Sequence, residues 1–173
     1  GAKSIVIDVR YNEQARIADL FVPIKPGTDA VLGYCVINQM IERNLVNMEF
    51  VEKFTVGFDQ LKEYAKQFTK EFASRITGVE EAVIDQMVDM IEEAGDQICS
   101  WPGTGLEHQR NGVSNSRITS LIDCLVGAVD QKGGMLLTEN HKRNDLTLND
   151  EFVRELEPIG RSKYPIIDYF KRE

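Results

Sequence analysis

Two separated stretches carry residues whose type and spacing could hold a phosphorylated ligand. The first runs from Asp8-Val9-Arg10-Tyr11 to Lys25-Pro26-Gly27-Thr28-Asp29. Asp8 closes Ser4-Ile5-Val6-Ile7, a β-branched apolar run that reads as a strand buried on both faces of a parallel sheet. Ligands of open α/β sheets bind at the carboxyl ends of the strands. An acid placed there can accept a ribose hydroxyl, and polar Arg10 and Tyr11 follow it directly. Leu20-Phe21-Val22-Pro23-Ile24 reads as a second strand, at an edge or irregular because its proline has no N–H to donate. Pro26-Gly27 makes a turn, and either Thr28 or Asp29 caps the helix after it. A carboxylate at that position can instead receive a ligand's donors. Guanine offers a ring N–H and an amino group side by side, which suit two carboxylate oxygens; adenine has no such pair.

The second stretch is Gly103-Thr104-Gly105, followed by His108 and Asn111-Gly112. Ile98-Cys99-Ser100-Trp101 before it reads as a third short strand, and a helix is expected from about Asn111. Glycines between a strand and a helix let backbone N–H groups approach a phosphate. A bare Gly-x-Gly serves equally well as a tight turn. His108 has no nearby Cys or His with which to hold a metal; the other histidine, His141, lies far along the chain. Ser100, Ser114, Ser116 and Ser120 have no histidine at a spacing that suggests a nucleophile, and neither a full dinucleotide fingerprint nor a P-loop occurs. Cys35, Cys99 and Cys124 are isolated, with no zinc or iron–sulfur spacing, and read as buried reduced thiols.

These residues must be positioned by a chain of 173 residues, one domain by the usual prior. The balance of 20 basic against 28 acidic residues, net −8, argues against a nucleic-acid or anionic-membrane surface. No apolar run approaches the roughly 20 residues of a membrane span. Helical periodicity places Tyr34, Ile37, Ile41 and Leu45 on one face of a helix over 28–44. Asn47 caps a short helix that Gly57 ends; another covers 58–68, and Thr69 caps the next. Thr77-Gly78-Val79-Glu80 has the pattern of a capping box opening a long acidic helix, which ends near Gly95. The last helix spans 112–129, with Val113, Ile118, Leu121, Ile122 and Leu125 facing inward. Residues 138–150 are polar and aperiodic.

Taken together, these motifs resemble the molybdopterin oxidoreductases of the dimethyl-sulfoxide-reductase family. The match rests on Asp8-Val9-Arg10, Ala18-Asp19, the apolar run 20–24 and Pro26-Gly27-Thr28-Asp29. It continues in residues 49–59, in Ile76-Thr77-Gly78-Val79, in the Gly-x-Gly element leading to Asn111-Gly112, and in Gly133-Gly134. Val9 stands where the family usually has proline, Thr104 where it often has methionine, and His108 where it often has glutamine.

The resemblance covers residues 1–137. It implies an α/β, three-layer Rossmann-like domain, a small mostly parallel sheet with helices on both faces, and a connecting tail over 138–173. It also implies a piece of a larger molybdenum or tungsten oxidoreductase subunit, inactive alone. The piece would hold the guanosine end of a molybdopterin guanine dinucleotide. The cofactor-binding residues would be Asp8, Arg10, Tyr11, Gly27, Thr28, Asp29, Gly103, Thr104, Gly105 and His108. Asp8 would take ribose, Asp29 the guanine edge, and the loop 103–105 the phosphates. No catalytic residue and no metal ligand is expected in this stretch. The metal-ligating residue and an iron–sulfur cluster would lie elsewhere in the subunit. Its partners would be the remaining domains and an iron–sulfur electron-transfer subunit, in a bacterial or archaeal cytoplasm or periplasm. Two alternatives stay open: a metal-free structural relative, such as the large iron–sulfur subunit of NADH dehydrogenase, and a generic nucleotide-binding domain.

Overall fold

The computed structural model describes residues 1–137. The connecting tail expected over 138–173, and His141 within it, lie outside the described residues. Strand β1 (Ile5–Asp8) is followed by α1 (Glu13–Ile17) and β2 (Leu20–Pro23). The two strands form a parallel two-stranded sheet in which Ile5 pairs with Leu20 and Asp8 with Pro23. Asp19 sets the register from below. Its carboxylate accepts the Ser4 N–H at 2.8 Å, and this bond holds its carboxyl below the ordinary 3.8. The connection between the strands, read from sequence only as polar, contains α1, which Asn12 caps by accepting the Ala15 N–H. β1 is not buried on both faces as expected: Ile7 is 46% exposed.

Seven helices follow among the described residues: α2 (Asp29–Glu42), α3 (Met48–Phe54), α4 (Phe58–Ala65), α5 (Lys70–Thr77), α6 (Glu81–Ala94), α7 (Thr104–Glu107) and α8 (Gly112–Val126). The result is a helix-rich α/β fold with a small parallel sheet. Helix α2 is the centre of the core. Leu32, Cys35, Val36, Ile37 and Met40 are buried, and α4, α5, α6 and α8 all pack against it. A helix apolar on most of its circumference must be surrounded in this way. Burial pushes the Cys35 thiol up to about 12, so it is a core residue and not a nucleophile. Cys99 is exposed, contrary to the expectation that all three thiols are buried.

The small helices begin and end where local chemistry dictates. Asn47 and Thr69 accept the N–H groups of Phe50 and Phe72 and so cap α3 and α5. Gly57, Gly78 and Gly127 take left-handed conformations at helix ends. The capping box at Thr77 does not form. Thr77 is the last residue of α5, and its hydroxyl donates to the Ala73 carbonyl instead. The acidic face of α6 is not wholly solvated. Asp85 receives both Arg43 and Lys70, tying α6 to the end of α2 and to α5.

Two expectations near α8 fail. Val113 faces outward, 88% exposed, because it lies in the first turn beyond the reach of α2. The third strand does not form either. Residues 98–101 have no strand partner among the described residues, and the Ser100 N–H goes to a side-chain carboxylate on α8 instead of a ladder.

The crossing of α2 and α8 depends on Gly33. A Cβ there would lie 2.1 Å from Ile118 Cγ2 and 3.3 Å from Ile118 Cβ. Ile118 is buried, and its branched side chain has little rotamer freedom in a helix. Gly33→Ala is expected to destabilise the chain by about 1–3 kcal/mol. Trimming the obstacle with Ile118→Ala should make the second substitution cost far less than it does alone. Urea unfolding of the two single variants and the double variant measures this coupling.

Candidate functional site

Parallel pairing puts the ends of both strands on one edge. The Ile24 N–H donates to the Asp8 carbonyl, so the chain leaving β2 stays beside Asp8. The Lys25 N–H then donates to Thr77 O at the end of α5, at 2.9 Å. Pro26-Gly27 reverses direction with Gly27 at φ +79°, a conformation a Cβ would strain. The turn delivers Thr28 and Asp29 to the start of α2.

Asp8 organises its own loop. Its Oδ1 accepts the Arg10 N–H at 3.0 Å, and its Oδ2 accepts Asn12 Nδ2 at 2.7 Å. Each oxygen keeps a second lone pair. Arg10 is exposed, and Tyr11 packs edge-on against Phe21 with its ring centroid 5.3 Å away. Val9, in place of proline, is 58% exposed.

Neither Thr28 nor Asp29 caps α2 through its side chain. Thr28 occupies the cap position, but its hydroxyl donates to Lys25 O at 2.7 Å. Asp29 is the first helical residue, and its Oδ2 accepts Gln109 Nε2 at 3.4 Å. The same Nε2 donates to Gly105 O at 2.6 Å. Gln109 Oε1 lies 3.1 Å from the point where a Gly27 Cβ would be. One amide therefore touches the Pro-Gly-Thr-Asp turn and the Gly-Thr-Gly loop together.

The loop itself is open. A Cβ at Gly103 or Gly105 would meet nothing within 4 Å. Gly103 precedes the single turn α7, in which Leu106 and His108 donate back to Gly103 O and Thr104 O. Gly112 has a structural duty: a Cβ there would lie 2.0 Å from Glu107 O, so α8 can start only where a glycine lets α7 approach. Asn115 Nδ2 adds a bond to Leu106 O at 3.2 Å. His108 is exposed, and the side chain that reaches Asp29 belongs to its neighbour.

Asp123 anchors the chain entering this loop. It is fully buried on α8, and its carboxylate accepts the Ser100 N–H at 3.1 Å and the Ser100 hydroxyl at 2.7 Å. Sequence reasoning missed both Gln109 and Asp123. A polar residue recurring on the inward side of the last helix, next to Ile122 and two before Leu125, was the signal available for Asp123. Nothing local distinguished Gln109.

Among the described residues no group of three His, Cys, Asp or Glu side chains comes close enough to hold an ion. No described helix is long and apolar enough to cross a membrane.

The fold is therefore a helix-rich α/β domain in which the Gln109 amide joins the turn after β2 to the loop around Gly105. No protein-family model matches the chain. It is 35% identical to the probable oxidoreductase YoaE of Bacillus subtilis, over 81% of this chain and 20% of that protein. It is 33% identical to the dimethyl sulfoxide reductase DmsA of Haemophilus influenzae, over 77% of this chain and 19% of that one. Among solved structures, acetylene hydratase from Pelobacter acetylenicus superposes with a TM-score of 0.68 at 33% identity, covering 73% of this chain and 17% of that one. The chain is homologous to one segment of the molybdopterin oxidoreductases, the family that includes the dimethyl sulfoxide reductases, and relatives of this kind are enzymes. It spans about a fifth of the length of the curated relatives it matches, 20% for YoaE and 24% for the acetylene hydratase of Syntrophotalea acetylenica.

Asp123 gives the site a pH signature. Burial raises its carboxyl above the ordinary 3.8, against the lowering effect of the two Ser100 bonds. A raised folded-state pKa contributes stability below the unfolded value, and this contribution is lost as pH rises through the folded value. Asp123→Asn, which cannot ionise, should therefore gain on the wild type as pH rises above 3.8. Urea midpoints of both proteins across the acid range should converge in this direction.

Proposed function

We propose that this chain is the part of a molybdenum or tungsten oxidoreductase subunit that holds the guanosine-phosphate end of a molybdopterin guanine dinucleotide. One observation carries the reading. The Gln109 amide joins Asp29, an acid suited to the guanine edge, to Gly105 in a loop open enough for a phosphate to approach. Asp8 stands at the same edge as the turn, with lone pairs left for ribose hydroxyls. Gly27 and Thr28 shape the turn, and Arg10 and Tyr11 border Asp8 on the exposed side. The backbone at Gly103, Thr104 and Gly105 would face the phosphates, with His108 at the loop's outer end.

In this reading the chain's own work is binding and orientation. The two Asp29 oxygens would accept guanine's paired donors, and adenine would leave them unsatisfied. The metal centre of the bound dinucleotide would supply the redox chemistry, with ligands from outside the described residues. An iron–sulfur cluster and an electron-transfer subunit would belong to the whole enzyme.

Guanosine diphosphate is the natural probe. The 173-residue chain is expected to bind it in preference to adenosine diphosphate in titration calorimetry. Asp29→Asn should weaken guanosine diphosphate by about tenfold and erase most of the preference, with no matching loss of stability. A chain that binds neither nucleotide would favour the metal-free structural relative.

The purified chain is also expected to carry no stoichiometric molybdenum or tungsten, because the residue that ligates the metal would lie elsewhere in the subunit and the chain would grip the cofactor only by its guanosine end. Elemental analysis checks this directly.

A further inference from the structure

We infer that Gln109 is the positioning residue of this site: its amide braces the base-reading turn against the phosphate-facing loop and aims the Asp29 carboxylate. The inference deepens the nucleotide-binding reading and rests on it. Two hydrogen bonds place the amide. Nε2 donates to Gly105 O at 2.6 Å and to Asp29 Oδ2 at 3.4 Å, and Oε1 stands 3.1 Å from the point a Gly27 Cβ would occupy. A primary amide has two N–H donors, so it can serve both oxygens at once. The bond to Gly105 is the short one and fixes the amide; the longer bond to Asp29 then restricts how that carboxylate can turn. Among the described residues no other donor meets Asp29, so Oδ1 and the remaining lone pair of Oδ2 stay available to a ligand.

The backbone supports the same assignment. Gln109 lies between α7 and α8, outside both helices, where nothing in the helical pattern requires a long amide side chain. Its own carbonyl accepts the Gly112 N–H at 3.0 Å, which ties its position to the start of α8. Gly27 is crowded on the side facing Gln109 and already holds a positive φ, so turn and amide fit closely. A site that reads a base with one loop and phosphates with another needs a fixed span between the two. The Gln109 amide is the contact that sets that span.

Two variants separate this role from general structure. Gln109→Met keeps the length of the side chain and removes both donors. Gln109→Glu replaces the donors with a carboxylate facing Asp29; the repulsion raises its pKa, and when protonated it regains one O–H donor. In the 173-residue chain, Gln109→Met is expected to weaken guanosine diphosphate by about tenfold. Gln109→Glu should bind as poorly at pH 8 and recover part of the loss at pH 5, each relative to wild type at the same pH. Hydrogen exchange without nucleotide should speed up in residues 26–29 and 103–108 of both variants, and stay unchanged in α6. If wild type binds guanosine diphosphate and Gln109→Met binds it equally well, the positioning role is overturned and the nucleotide site stands. If wild type does not bind, the nucleotide reading is overturned, and the exchange data alone judge the brace. Unchanged exchange in both loops overturns the brace whatever the binding result.

Discussion

The structure depends on the burial of α2. Its apolar side chains cover so much of its surface that four other helices must close around it, and each does so with a short amphipathic face. Everything that could hold a ligand is attached to this arrangement. The first residue of α2 is Asp29, and the helix that crosses it at Gly33 is α8, whose start positions α7 and the Gly-Thr-Gly loop. Core packing therefore fixes the separation of the two loops to first order. The polar contact at Gln109 sets the remainder.

The small sheet has a different task. The two strands add Val22 to the core, with Ile5 and Leu20 packed against it, while Ile7 stays half-exposed on the other face. Their value is directional. Parallel pairing sends both chains out over the same edge, so Asp8 and the Pro-Gly-Thr-Asp turn are neighbours without touching through their side chains.

Much of this was legible in the sequence, wherever the cause was local. Asn47 and Thr69 cap because an Asx or Thr side chain reaches an N–H three residues on. Gly95 ends α6 where expected, whereas Gly57 opens α4 and does not close α3, which ends at Phe54; of the expected stripe only Ile37 is fully buried, with Tyr34, Ile41 and Leu45 packed at the edge of the core. What escaped was chosen at a distance. The Ser100 N–H is claimed by a carboxylate 23 residues away, and this converts a plausible strand into an extended anchor. Thr77 does not open α6 because α5 runs through it: its hydroxyl donates to the Ala73 carbonyl and accepts the Val79 N–H, and Glu80 takes the cap position of α6. Gln109 meets a residue 80 positions earlier, a relation that no period or motif encodes. The residues of the two stretches were identifiable as ligand types; the amide that joins them was not.

That long separation also bears on how the molecule comes to exist. Helices α4, α5 and α6 pack on α2 or on one another at smaller sequence separations, and β1 pairs with β2 across one brief connection. The packing of α8 on α2 and α3 spans far more of the sequence, and the α2–α8 crossing closes a loop holding five helices, α3 to α7. Loop-closure entropy makes such a contact costly until intervening elements have shortened the effective chain. The crossing at Gly33 is thus placed among the last tertiary events of folding. The two loops that Gln109 joins meet only then, so a nascent chain passes through compact states that already have a core and do not yet have this contact.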